Sequence, residues 1–324
     1  MMKQIVKQIN DSSCVLIVSH ANPDGDAVSS IIALGLALEK LNKKIFLLNE
    51  SPIPAVYRFL PSVDRISQSI NGASKFDTAV ILDCGDIKRI GKAVQKIRKI
   101  PVLINIDHHV TNTGFGDLKL IDSRACATAE LVHRLLKRMK ITIDAPIATS
   151  IYTGILTDTG SFRFSNTNPA AFAICTEMTQ VGVNPYKVAQ HVYGTYSLGR
   201  IKLLNLALDS IEISVNGKLS MMTVTQAMLH KTGTQAEDAD GLINYARRIE
   251  DVKVAALIQE LRNGSKPSQY KDRYHISLRS DGTVNVADIA AAYGGGGHSS
   301  AAGFGMDVTL SEVKSEIAML AEKL

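Results

Sequence analysis

The 324-residue chain contains no tryptophan, and aromatic residues together make up only 5% of it. Single-strand binding by stacking draws on rows of exposed rings, so a long base-stacking platform is not expected. Cysteine is scarce as well. Cys14, Cys84, Cys126 and Cys175 are scattered, with no C-x-x-C spacing. That pattern excludes a disulfide frame or a zinc knuckle and suits reduced thiols in a cytoplasm. No apolar run approaches the ~20 residues of a membrane-spanning helix. The opening MMKQIVKQINDSS has neither an apolar core nor a small-residue cleavage site, so no export signal is expected. Neither sign of charge dominates: 36 Lys and Arg against 31 Asp and Glu leave +5. Such a balance admits an anionic substrate without demanding a nucleic-acid platform.

What is present is a foldable, ordered chain. Hydrophobic residues make up 45% of it, and the mean hydropathy is +0.07. The length exceeds one ordinary domain and fits two. In the first half, short β-branched runs alternate with amphipathic stretches. CVLIVS, KIFLLNE, DTAVILDCGD and PVLINIDHH read as strands, and AVSSIIALGLALEKL as a helix. Alternation of this kind predicts an α/β fold with a doubly wound, mostly parallel sheet. From Asp144 to about Val192 the pattern is helical, apart from the polar TDTGSFRFSNTNP stretch. YGTYSLGRIKLLNLAL reads as a connecting helix. Beyond Asp209 the pattern predicts a smaller α/β domain. It has a hairpin turning at Asn216-Gly217, a helix over AEDADGLINYARRI, strands at VKVAALIQEL and YHISLRS with a polar NGSKPSQYKD loop between them, and a last helix opened by a Thr309/Glu312 capping box. The expected boundaries are 1–190, a helical linker at 191–209, and 210–324.

Four clusters of acids and histidines fall just past predicted strand ends. They are His20/Asp24/Asp26, Asp83/Asp86, Asp107-His108-His109, and Asp158. Open parallel sheets bind ligands outside the carboxyl ends of their strands, so these distant clusters are expected to converge. A lone D-x-D is more often the polar rim of a loop, and an Asp after a strand is often a helix cap. All four clusters in this order are harder to explain that way. A set of imidazoles and carboxylates without thiolate suits Mn²⁺, Mg²⁺ or Co²⁺ better than structural zinc. Two such cations about 3.5–4 Å apart can clamp a phosphoryl oxygen during in-line displacement. A carboxylate must then bridge them, and a strand-end residue such as Asp83 is well placed.

The segments H-A-N-P-D-G-D (20–26), L-D-C-G-D (82–86), D-H-H (107–109) and T-D-T-G-S-F-R-F (157–164) resemble the motifs of the DHH phosphoesterase family. G-G-G-G-H-S-S-A-A-G-F (294–304) is similar to the signature of the DHH-associated nucleotide-binding domain. The match spans essentially the whole chain, and within the family it looks most like the nano-RNases that also act on pAp (3′-phosphoadenosine 5′-phosphate). The resemblance implies one metal on His20, Asp24 and Asp83, and a second on Asp26, Asp83, His108 and Asp158. It further implies that His109 touches the phosphate or protonates the leaving oxygen, and that Asp107 orients the histidines. Ser29 departs from the family's usual glycine. The length of the NGSKPSQYKD loop puts any carry-over at Arg262 in question.

The glycine run calls for its own reading. Glycines let backbone N–H groups approach a phosphate, and a helix beginning at His298 would add its positive end. A helix cap after VADIAAAY needs only one glycine, so Gly295, Gly296, Gly297 and His298 are expected to bind substrate, with Arg279 as a cationic partner. No G-K-[ST] follows, which argues against ATP hydrolysis. Arg247 and Arg248 are adjacent, so one at most faces inward. His133, His191, His230 and His275 show no ligand spacing. The expectation is a cytoplasmic manganese-type phosphodiesterase acting on short RNA or small nucleotides, with a homodimer left open. The alternatives are a pApA or cyclic-di-AMP phosphodiesterase, and a metal-stabilised RNA-binding protein without turnover. A pyrophosphatase would share the first domain's motifs but not the glycine signature.

Overall fold

A computed structural model describes residues 1–70, 75–194, 196–261, 273–322 and 324. The chain divides into two compact units, Met1–Thr195 and Tyr196–Leu324. The first carries six parallel strands: β1 (Cys14–Val18), β2 (Lys44–Leu48), β3 (Ile66–Ser67), β4 (Thr78–Leu82), β5 (Val102–Asp107) and β6 (Leu118–Ile121). Their order is β3-β2-β1-β4-β5-β6. The winding therefore reverses between β1 and β4, which opens a crevice at their carboxyl ends. β3 and β6 were not read from the sequence. One is two residues long and the other is a short edge strand, too brief for a periodic signal.

Alternation along the strands puts apolar groups on both faces of this sheet. Val15 and Ile17 join one core cluster, while Leu16 and Val18 join another on the opposite side. Among the described residues, seven α-helices accompany the sheet: α1 (Met2–Asp11), α2 (Gly25–Glu39), the short α3 (Val94–Ile97), α4 (Thr128–Met139), α5 (Ala145–Asp158), α6 (Pro169–Val181) and α7 (Pro185–Tyr193). Buried residues run around nearly the whole of α2, consistent with a helix sandwiched on several sides. It packs closely on α5, and glycine makes this possible. A Cβ on Gly154 would lie 2.7 Å from Ala129 Cβ and 2.9 Å from Asp26 Oδ1.

The second unit is a mixed six-stranded sheet in the order β11-β12-β10-β9-β8-β7. Its strands are β7 (Glu212–Ile213), β8 (Leu219–Val224), β9 (Val254–Leu261), β10 (Arg273–Ser280), β11 (Gly296–His298) and β12 (Ala301–Asp307). β8 and β9 are parallel, and the other pairs are antiparallel. Helices α8 (Leu198–Asp209), α9 (Gln226–Thr232) and α10 (Ile243–Arg247) accompany one cluster that includes Ala255 and Leu257. α11 (Val286–Ala292) and α12 (Leu310–Ala321) accompany a second that includes Val254, Ala256 and Ile258. The helix at 198–209, expected as a linker, thus packs within the second unit.

Local signals fared unevenly here. Gly217 takes φ +72° in the expected hairpin turn, and Thr309 and Glu312 form the expected reciprocal cap. The helix expected over AEDADGLINYARRI is instead a 3₁₀ turn at Ala236–Ala239 followed by α10. Gly241, at φ +82°, interrupts the two. Arg247 is half-buried and Arg248 exposed. The NGSKPSQYKD loop and Arg262 lie outside the described residues. Among the described residues, no helix is long and apolar enough to cross a membrane.

The close approach at Gly154 yields a stability test. Gly154→Ala should push α5 off Asp26 and Ala129 and cost about 1–3 kcal/mol, read as a lower urea midpoint at unchanged slope. An unchanged midpoint would mean that the helices can move apart freely.

Candidate metal centre

The loop after β1 is held before it reaches α2. Asn49 Nδ2 donates to Ser19 Oγ at 2.8 Å and to the His20 carbonyl at 2.9 Å. His20 Nδ1–H donates to the Ala21 carbonyl at 2.9 Å, which leaves Nε2 facing Asp83 Oδ2 at 3.5 Å. Asp24 is exposed and caps α2, accepting from Ala27 N at 3.0 Å. Asp26, in the first turn of the helix, is buried. Ser29 is buried too, and its hydroxyl finds no hydrogen-bond partner among the described residues.

Asp83 follows β4 in a left-handed conformation, φ +54°, with its N–H bonded to the Ile106 carbonyl at 3.0 Å. That turn aims a buried carboxylate into the crevice. His108, just past β5, donates from Nδ1 to the Ala125 carbonyl at 3.1 Å. Its Nε2 lies 3.3 Å from Asp158 Oδ2, 3.8 Å from Asp83 Oδ1 and 4.0 Å from Asp26 Oδ2. Donation to a carbonyl fixes the tautomer of both histidines and points Nε2 at the carboxylates, the usual orientation of a metal-ligating imidazole. His109 is held differently. Its Nδ1 meets Asp107 Oδ1 at 2.7 Å, and Asn112 Nδ2 donates to Asp107 Oδ2 at 2.6 Å.

Among the described residues of the first unit, side chains that could hold a cation therefore group as His20/Asp24/Asp83, as Asp26/Asp83/His108, and as Asp83/Asp107/His109. Asp83 belongs to all three. Asp86 stays apart and caps a 3₁₀ turn, accepting from Lys88 N at 2.8 Å. Thiols are absent from these groups. Burial pushes Cys84 up to about 12, so it stays protonated and donates to the Asp86 carbonyl.

The electrostatics show a site short of positive charge. Burial and the neighbouring carboxylates of Asp83 and Asp158 raise Asp26, although two backbone N–H groups of α4 support its charged form. Burial pushes Asp158 up to about 7, against the pull of His108. Burial also works against a charged His108, yet Asp158, Asp83 and Asp26 lift it to about 9. Asp83 is lowered despite burial, by its bond to His20 and the charges of the three histidines. Protons thus hold this cluster together where divalent cations could. An imidazole and carboxylate donor set of this kind fits divalent cations of the Mn²⁺, Mg²⁺ or Co²⁺ type.

Residues 14–155 match the DHH family, N-terminal domain, and residues 220–323 match the DHHA1 domain. The chain belongs to the DHH family. It is 32% identical to the bifunctional oligoribonuclease and PAP phosphatase NrnA of Thermus thermophilus, across 89% of this chain and 83% of that protein. It is 27% identical to the Bacillus subtilis protein of the same name, across 94% and 92%. An exopolyphosphatase-related protein from Bacteroides fragilis superimposes with a TM-score of 0.87 at 25% identity, covering 99% of this chain and 95% of that one.

In the DHHA1 unit, the expected helix start at His298 is not found. His298 ends β11, and its loop returns as β12. Most of the glycine run has a local cause. Gly294, at φ +75°, follows α11, and Gly295 N–H reaches back to the Ala290 carbonyl at 2.8 Å. A Cβ on Gly295 would lie 2.1 Å from the Gly303 carbonyl, and one on Gly297 would lie 2.4 Å from the Ala301 carbonyl. Gly296 faces open space. Register places Arg279 and His298 on either side of Ala301, in one row across β10, β12 and β11.

Three residues that sequence reading missed act on expected site residues. Thr128 bonds Asp26 and Asp83, Asn112 bonds Asp107, and Asn166 Nδ2 reaches Asp158 Oδ2 at 3.2 Å. None sits in a short motif, so only the fold reveals them. The unassigned histidines stay out of the centre. His133 pairs with Glu177 at 3.0 Å, His191 stacks on Phe59, His230 lies in the last turn of α9, and His275 is on the β10 face.

Cation binding must displace the protons held by Asp158 and His108. Apparent Mn²⁺ affinity should therefore rise as pH increases through about 7 towards 9. Calorimetry in buffers of different ionisation enthalpy should show proton release; a pH-independent affinity without release would contradict this electrostatic account.

Proposed function

We propose that this protein is a metal-dependent phosphodiesterase and exoribonuclease of the cytoplasm. In this reading it degrades very short RNA oligonucleotides to mononucleotides and removes the 3′-phosphate of pAp. The observation that carries the reading is Asp83 between two ligand groups. One oxygen faces His20 and the other faces the His108 side. His20, Asp24 and Asp83 would hold one cation, and Asp26, Asp83, His108 and Asp158 the other. Support for the substrate class comes from two curated relatives bearing both activities in their names, matched over about nine-tenths of this chain.

Divalent cations bound by these residues would supply Lewis acidity at such a site. The protein's own groups do the rest. Asp107 holds His109 by Nδ1, so Nε2 is the atom that would meet a phosphate oxygen or protonate the leaving oxygen. In the DHHA1 unit, the Arg279 guanidinium and His298 would grip the nucleotide, with Gly296 admitting close backbone approach. A phosphate contact by Arg279 would be charge-assisted.

The test is a substrate panel with Mn²⁺: RNAs of roughly two, five and twenty residues, pAp, pApA, cyclic di-AMP, polyphosphate and pyrophosphate. With few phosphate contacts, short RNAs should turn over fastest, affinity should change little with length, and the salt slope should be shallow. Tight, processive degradation of the long RNA, or turnover of polyphosphate alone, would overturn the reading. His298→Ala should lower kcat/KM on dinucleotides far more than on an aryl phosphodiester that has no base or ribose. Equal losses on both would assign His298 to the chemical step or to stability.

A further inference from the structure

Helix α4 begins without a cap of its own. The residue before it, Ala127, has no polar side chain, yet the first turn still needs acceptors. Asp26 supplies them from a different helix. Thr128 N donates to Asp26 Oδ2 at 2.6 Å, and Ala129 N donates to Asp26 Oδ1 at 2.9 Å. The Thr128 hydroxyl meanwhile donates to Asp83 Oδ1 at 3.0 Å. One residue therefore holds two buried carboxylates that repel each other. It does so from a helix whose Leu131, Leu135 and Leu136 are fully buried, so the hydroxyl has a fixed base.

Lone pairs show what the hydroxyl accomplishes. An ionised carboxylate offers about four acceptor sites, two on each oxygen. Thr128 takes one on Oδ1. That leaves one on the oxygen 3.8 Å from His108 Nε2 and two on the oxygen 3.5 Å from His20 Nε2. The hydroxyl thereby selects the rotation of the carboxylate in which one oxygen serves each ligand group. His109 Nδ1 lies 3.6 Å from the same oxygen, so the hydroxyl and an imidazole together hold that rotation against the repulsion of Asp26.

We propose that Thr128 is a positioning residue for a two-cation centre, its hydroxyl fixing the Asp83 carboxylate as the bridge while its backbone N–H fixes Asp26. This rests on reading the cluster as a two-cation site, and it is independent of which phosphoester is the substrate. Thr128→Val keeps the branched shape and both N–H groups and removes only the hydroxyl. Thr128→Ala removes it with good helix propensity, in case valine beside a carboxylate prevents folding. Thr128→Ser retains it.

The measurement is calorimetric titration of the metal-free full-length chain with Mn²⁺. Electron paramagnetic resonance of the loaded protein and thermal unfolding of the metal-free protein accompany it. Val and Ala should weaken the second Mn²⁺ step by about 10–100-fold. They should also lose the spin-coupled pair signal at concentrations that saturate wild type, while Ser stays within a few-fold. Two tightly bound Mn²⁺ ions in Val or Ala would overturn the proposal, as would a Ser variant as weak as Val. A drop in unfolding temperature without a change in affinity would assign Thr128 a merely structural role. A wild type that binds only one Mn²⁺ would remove the two-cation premise itself, whatever the substrate panel shows.

Discussion

Negative charge packed into a small buried volume governs the first unit. Asp26, Asp83 and Asp158 surround His108 Nε2 within 4.0 Å. Two carboxylates about 4 Å apart repel by roughly 4 kcal/mol at an effective dielectric of about 20. A fold keeps such a group only if donors are aimed at it from several directions. Here the donors come from the start of α4, the Thr128 hydroxyl, three imidazoles and the side chain of Asn166. The backbone is set for the same end. Asp83 adopts φ +54°, and the Ala21 and Ala125 carbonyls turn two histidines to present Nε2.

The scaffold explains why these groups can meet. In a parallel sheet all carboxyl ends lie on one edge, and reversal of winding between β1 and β4 places their loops side by side. Alternating burial on both faces then fixes the register, because a slip by one residue would exchange the two cores. Close contact of α2 and α5 brings Asp26 towards the end of the helix that carries Asp158. Glycine at position 154 makes that contact sterically feasible.

The DHHA1 unit follows another logic. Its glycine run invites a phosphate-loop reading, but Gly294 follows a helix end, while Gly295 and Gly297 admit the backbone of β12. Gly294 and Gly296 both face open space, and of these two Gly294 alone takes a positive φ. The same packing sets Arg279 and His298, nineteen positions apart, in a single row across three strands. A motif can thus owe most of its composition to chain packing and still deliver two polar groups to one place.

The sequence by itself determined the α/β class, the four main strands of the first sheet, and the acids and histidines at their ends. Each of those signals is local: β-branched runs, a D-x-D, a D-H-H. Tertiary structure alone decided what depends on distant segments meeting. The short edge strands β3 and β6 exist because a neighbour offers hydrogen bonds, not because their own residues compel them. The helix expected at His298 gave way to a strand because β12 pairs with that segment. Thr128 is silent in the sequence for the same reason. Its hydroxyl matters only because folding brings it to Asp83, forty-five positions away, in a site where every buried charge needs a donor.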